Sequence, residues 1–366
     1  MKKIIGLTLL SLALNTISGA QIAADSVSID QMIGQMILTG IGDFSYMESE
    51  AEILEDIENG LVGGVILFEK NINPTNPQKQ LARTISMMEK AAKTPLFISI
   101  DEEGGKVNRL KPKYGFPQTK EAGYLGRLDN LDSTKYYANN TASTLQKYGF
   151  NVNYAPDVDV AINPENPVIA KLGRSYSGDP AVVAKHAQGF IEKHREYNVF
   201  TVLKHFPGHG SSKNDSHLGV ADVSKYWQFS ELLPYKMLLD SNKVDGIMTA
   251  HIINEHLDPS KLPATLSPFV ISQILRGFLG FEGVVFTDDM QMHAISKNFG
   301  FEESIKMAIN AGVDVMLFAN NVPGNERRSP KQIHGIISSF VKRGDISQER
   351  IKASYTRIMK LKSKLK

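Results

Sequence analysis

The stretch GVVFTDDM, residues 283–290, decides the fold. Its apolar run is too short for a helix, which needs at least about 10–12 residues. Its β-branched and aromatic side chains favour extended backbone. No apolar–polar alternation is present, so both faces of the strand are buried, as in a parallel sheet covered by helices. The run then stops on two aspartates.

The same grammar recurs along the chain in QMILTG (35–40), GGVILF (63–68), LFISID (96–101), VNYAPD (152–157), TVLKHF (201–206), GIMTAH (246–251) and DVMLFA (314–319). Between these runs lie amphipathic patterns of helical spacing, including residues 76–93 and 179–198. SPFVISQILRGFLG (267–280) opens Ser-Pro and closes on glycine, a start and a stop signal for a helix. Eight strand–helix units predict an α/β fold, a (β/α)8 TIM-type barrel forming a single catalytic domain. A doubly wound open sheet is the competing architecture. It lacks the GxGxxG that would open its first helix, and no proline- or glycine-rich linker divides the chain. The expected barrel spans residues 21–345. A C-terminal helix, 346–366, packs on it or extends from it with a solvated basic outer face. Residues 109–149 read as the least regular part, with RLKPKYGFPQ (109–118) as a long surface loop.

Across 366 residues the formal charge is only +2, so neither nucleic acid nor an anionic surface is an obligatory partner. With no cysteine, disulfides, thiolate nucleophiles, zinc–thiolate sites and a lipid-modified cysteine are all excluded. MKKIIGLTLLSLALNTISGA (1–20) has two lysines, an apolar run and then small residues, the order of a secretory signal peptide. The run falls short of the roughly 20 residues that span a bilayer. Removing Lys2 and Lys3 with it brings the side-chain charge to zero. The expectation is an exported protein, periplasmic or secreted, with no membrane anchor once the signal is gone.

In a barrel of this type the residues just past the carboxyl ends of the strands form the active face. Those positions hold Asp101, Asp157, Lys204–His205, His251 and Asp288–Asp289. Asp101 beside Arg109 suits recognition of vicinal hydroxyls, the carboxylate accepting and the guanidinium donating. A salt bridge holding a loop reads equally well. After Lys204–His205 the chain passes through Pro207, Gly208 and Gly210 to Asp215-Ser216-His217. A carboxylate two residues from an imidazole can fix its tautomer and free the other nitrogen for proton transfer. A metal cage of His205, His209, His217 and His251 is the rival reading, although no HxH pair occurs in the chain. Strand alternation sends Asp288 and Asp289 to opposite sides. A carboxylate rising from a barrel strand, with no cysteine or G-x-S-x-G serine available, suits a covalent nucleophile at an anomeric carbon.

KHFPGHG followed by DSH and FTDDM, with DEEGGKVNRL upstream and LGRSYSGDP between, resembles glycoside hydrolase family 3. The resemblance runs from about residue 30 to 320 and is to the compact single-domain bacterial β-N-acetylglucosaminidases (β-hexosaminidases) acting on peptidoglycan fragments. It implies Asp288 as nucleophile, His217 as loop-borne acid/base and Asp215 as its orienting partner. It implies Asp101, Arg109, Arg174, Lys204 and His205 as sugar-binding residues, with no metal and no cofactor. Lys204–His205 then forms a fixed sugar clamp and Asp215–His217 a mobile proton carrier, with the intervening glycines and serines as hinge. Glu102 and Lys106 depart from the glutamine and arginine frequent in the family, which alters local charge. The implied partner is a small N-acetylglucosaminyl glycoside or muropeptide. Other sugars or phosphorolysis within the family, a metal-dependent hydrolase and a non-catalytic cell-wall binder remain as alternatives.

Overall fold

The computed structural model describes residues 27–42, 51–214, 219, 221–241, 243–322 and 326–365. The expected signal segment 1–20, Asp215 and His217 lie outside the described residues. Eight strands form the barrel: β1 (Ile37–Gly40), β2 (Gly64–Leu67), β3 (Phe97–Ile100), β4 (Val152–Asn153), β5 (Phe200–Phe206), β6 (Gly246–Thr249), β7 (Val284–Asp289) and β8 (Val315–Phe318). Each pairs in parallel with its sequence neighbours, and β8 closes on β1 with Ile37 opposite Met316. β4 is shorter than its apolar run because Pro156 has no N–H to offer a ladder.

Helices cover the barrel. Pro77–Ala91 turns Leu81, Thr84, Ile85 and Met88 inward, one face at helical spacing. Burying an aliphatic side chain of this kind is worth about 1.5–3 kcal/mol. The segment read as least regular carries, after its opening loop, a helix over Ala122–Leu128 and another over Leu131–Lys147. Asn130 caps the second, its side chain accepting from Ser133 N at 2.8 Å. That helix buries Thr134, Ala138, Thr141, Ala142 and Leu145. Its inner face is mostly small or hydroxylated, which hid the periodicity. Phe269–Phe278 is a wide, π-type helix, with Ser267 Oγ accepting from Val270 N at its start.

Inside the barrel Phe286 meets Phe97 and Tyr154 edge-on at 5.9 and 5.8 Å between centroids. The floor is closed from an unexpected direction. The terminal helix Gln348–Lys362 packs on Ile29–Gln35, and Lys362 is 1% exposed. Its Nζ donates to Gln35 Oε1 at 2.6 Å and Gly63 O at 2.7 Å, and lies 4.7 Å from the Phe97 ring centre. Arg350 and Arg357 of the same helix pair with buried Asp314 at the foot of β8. The basic residues of this helix are therefore not all solvated, as the sequence suggests. Three of them fasten it. Among the described residues no helix is long and apolar enough to cross a membrane.

Two strands depart from regular register, and both do so at the polar end. Leu203 and Phe206 of β5 face Ile247 and Thr249 of β6, so β5 carries one extra residue around Lys204–His205. Phe286 and Asp289 of β7 face Val315 and Leu317 of β8, an extra residue at Thr287–Asp288. Thr287 Oγ1 takes the N–H of Leu317 at 2.9 Å across the second irregularity. A bulge re-aims the side chains around it. Simple alternation therefore does not decide which of Asp288 and Asp289 faces the mouth.

Candidate active site

At the carboxyl end of the barrel a cavity of about 460 Å³ opens over β2, β3, β6, β7 and β8. Its polar wall holds Asp101, Arg109, Asp288 and Asp289, and its apolar wall includes Phe68, Met248, Met292 and Leu317. Asp288 is half-buried, with Oδ1 accepting from Asp289 N at 2.8 Å. Asp289 is buried and braces the rim. Its Oδ1 accepts from Gln291 N and Ala319 N, both at 3.1 Å, while its carbonyl oxygen is 2.9 Å from His251 Nε2. His251 Nδ1 lies 2.9 Å from Thr265 Oγ1, so both ring nitrogens of this histidine join barrel elements.

From the cavity a chain of charges runs into the protein. Arg109 Nη2 is 3.3 Å from Asp101 Oδ2, and Lys204 Nζ donates to Asp101 Oδ1 at 2.8 Å and Glu103 Oε1 at 2.7 Å. Arg174 grips Glu103 through Nη2 and Nε at 2.7 and 2.9 Å. The same guanidinium reaches Val168 O at 2.9 Å, His205 Nε2 at 3.1 Å and Asp157 Oδ2 at 3.4 Å. His205 Nδ1 lies 2.7 Å from Asp159 Oδ2. A guanidinium can only donate, so Nε2 faces Arg174 as acceptor and Nδ1–H donates to Asp159.

Burial alone would neutralise these groups; their neighbours decide which stay charged. Burial pushes Asp101 up, but Lys204 and then Arg109 hold it below the ordinary aspartate value. Glu103 is lowered in the same way by Arg174 and Lys204 against its burial. Lys204 is raised, its desolvation outweighed by Asp101 and Glu103. Asp157 goes the other way, well above the usual range, through burial and the adjacent Asp159. Asp159 stays low because His205 offsets its burial. Of the two, Asp157 is therefore the one that holds a proton to higher pH.

The structure thus gathers Asp101, Arg109 and Asp288 around one cavity, with Lys204 joined to it through Asp101. Arg174 and His205 stand one step behind, engaged with Glu103 and Asp159. Two residues of this arrangement were not singled out from sequence: Glu103 and Asp159. Glu103 follows Asp101 by two and Asp159 follows Asp157 by two, a spacing that keeps pairs on one side of extended backbone. Glu102, whose charge the sequence draws attention to, is buried beneath the Glu103–Leu110 loop. It accepts from Arg109 N at 2.8 Å, Leu110 N at 3.1 Å and the Asn108 amide. Burial lifts it to about 7.

The expected hinge takes a different form. Residues 207–212 are buried throughout. A Cβ on Gly210 would lie 1.7 Å from Val160 O, so this glycine allows close approach and supplies no flexibility there. Among the described residues, Asp157, Asp159 and His205 form the group whose ligand atoms converge, all within 4.8 Å of one another. Arg174 already lies against Asp157 at 3.4 Å, and the His205 imidazole N–H against Asp159 at 2.7 Å.

The chain matches the model of the glycosyl hydrolase family 3 N-terminal domain over residues 28–361. It is 32% identical to β-hexosaminidase A of Pseudoalteromonas piscicida over 96% of this chain, although it spans only 63% of that relative's length. It is 34% identical to a β-hexosaminidase of Tolumonas auensis, over 77% of this chain and 83% of the relative. A family 3 β-N-acetylglucosaminidase from Paenibacillus sp. str. FPU-7 superposes with a TM-score of 0.83 at 34% identity, over 93% of this chain and 63% of that one. A β-N-acetylhexosaminidase from Beutenbergia cavernae gives a TM-score of 0.77 at 26% identity, over 92% and 99% of the two chains. A family match running almost from end to end, carried on a barrel whose acidic strand ends open into one cavity, makes this chain a member of glycosyl hydrolase family 3, on its β-hexosaminidase branch.

Proposed function

We propose that the protein removes terminal β-linked N-acetylglucosamine with retention of configuration, acting outside the cytoplasm on peptidoglycan-derived fragments. Asp288 attacks the anomeric carbon and forms a glycosyl–aspartate bond. His217, oriented by Asp215, gives its proton to the departing oxygen. A water that His217 deprotonates then attacks the same carbon, releasing the sugar and the free carboxylate. A histidine acid replaces the second carboxyl group of most glycosidases, so their usual spacing of about 5–5.5 Å has no counterpart here. Imidazolium before the transfer and imidazole after it, the histidine places no second negative charge beside the nucleophile. Lys204, Asp101 and Arg109 hold the sugar hydroxyls, and Arg174, Glu103, His205 and Asp159 keep them oriented.

One observation carries the reading. Asp288 rises from the re-aimed end of β7 into the same cavity as the Asp101–Arg109 pair. The test is mass spectrometry of enzyme treated with a fluorinated N-acetylglucosaminide, which should add one glycosyl unit at residue 288. A label elsewhere, or none while substrate is consumed, overturns the nucleophile. Asp288→Ala should abolish turnover of an aryl N-acetylglucosaminide and retain sugar binding. His217→Ala should slow substrates with poor leaving groups far more than those with good ones, because the acid matters least when the departing oxygen is already stable. Equal losses speak against that role. Turnover should survive a chelator; inactivation would favour a metal-dependent hydrolase. Export is checked by the N-terminal sequence of the protein from its native host, expected to start near Gln21.

A further inference from the structure

We infer that Glu231 is a positioning residue for proton transfer: through the backbone of Gly210 and Ser211 it fixes the point from which the chain departs toward His217. This rests on the reading of His217 as acid/base given above. Glu231 sits in the turn Phe229–Leu232, after the loop in sequence, and is fully buried. Its Oε2 accepts from Gly210 N at 2.9 Å and Ser211 N at 3.2 Å, on the segment that enters the loop. Trp227 Nε1 makes a parallel link to Pro207 O at 3.2 Å. Residues 207–211 are thereby tied to the turn at 227–231.

The opposite side of the entering segment is held from the β4 end. Asp159 Oδ1 accepts from His209 N at 2.7 Å. Asn166 Nδ2 donates to His209 O at 2.8 Å and Gly210 O at 3.1 Å, and Asn163 Nδ2 donates to Ser212 O at 2.8 Å. Gly208, with φ +118°, accommodates the clamp, since a Cβ there would lie 2.6 Å from the Glu231 Cβ. Asp159, Asn163 and Asn166 come from one side, and Glu231 is the acceptor that presses from the other. Without it Gly210 and Ser211 lose their shared partner, and the take-off direction at Ser212 is set from one side alone. The barrel has its own apolar anchors next to this turn in Tyr235 and Leu238. The first consequence of losing the carboxylate is thus at the loop.

The experiment compares kcat and KM of Glu231→Ala, Glu231→Gln and His217→Ala on N-acetylglucosaminides of good and poor leaving groups. Glu231→Ala should lose about tenfold or more in kcat on a disaccharide, within the range general acid catalysis supplies, and little on a dinitrophenyl glycoside, with KM hardly changed. Glu231→Gln should restore most of the loss, because its amide oxygen can accept the same two N–H groups. Should Glu231→Ala not fold, Glu231→Asp, which withdraws the acceptor by one methylene, should give the same leaving-group pattern. Uniform loss on all substrates, or no loss, overturns the inference for Glu231 while His217→Ala still shows leaving-group dependence. Uniform loss in His217→Ala instead overturns the acid–base reading, and this inference with it.

Discussion

Glu103 shows what a single side chain does in this site. It lies between Lys204 and Arg174, and all three side chains are at most 9% exposed. Removing one member of a buried ion pair leaves the others unpaired at a cost of about 3–5 kcal/mol. Glu103→Ala should lower the denaturant midpoint accordingly and weaken binding of a competitive sugar inhibitor, because Lys204 is then free to swing away from Asp101. An unchanged midpoint with unchanged inhibitor affinity would remove Glu103 from the positioning role. At this scale the sequence was partly legible. Reading the ends of apolar runs finds Asp101, Asp157, Lys204 and Asp288, since strand ends are visible as apolar-to-charged steps. Glu103, Asp159 and Glu231 lie past those steps, on loops whose mutual approach depends on the closed barrel. Glu231 meets Gly210 across 21 positions, and no local pattern announces that.

Among elements, all eight strands were readable because each is a short run buried on both faces, the strongest signal a parallel barrel leaves. The helix Leu131–Lys147 was missed because its inner face is small and hydroxylated. The bulges in β5 and β7 were invisible, since register is a property of two strands and is absent from either one alone. The terminal helix was foreseen in position, but its basic residues were misread because a buried lysine looks like any other in sequence. Burial lowers Lys362 to about 7 from the ordinary lysine value. A lysine depressed in the folded state contributes stability that is present above its unfolded value and lost as pH falls toward 7. Wild-type stability should therefore gain from this residue between about pH 7 and 10. Lys362→Met, similar in length and uncharged, should lack that rise in denaturation measurements. Parallel curves for the two proteins would count against it.

The whole molecule combines opposed titrations. Glu102 and Glu231 are lifted to about 7 and Asp56 to about 6, all chiefly by burial. Their stabilisation is complete below the ordinary carboxylate range and is lost as pH rises through those values. Asp101, Glu103 and Asp159 are lowered, so theirs is present above the ordinary range and lost as pH falls. Denaturant unfolding across pH should place the maximum for these groups near the ordinary carboxylate range, about pH 4–4.5, where both sets contribute in full. A maximum at alkaline pH would show that the raised carboxyl groups do not dominate.

The seat of Lys362 has a bearing on how the protein is made. Its amine is held by Gln35 and Gly63, residues that leave the ribosome some three hundred positions earlier. Chains begin to fold during synthesis, N-terminal parts first. Here the floor of the barrel waits for a helix some three hundred residues downstream, so the nascent polypeptide stays short of its finished barrel until Lys362 has been made.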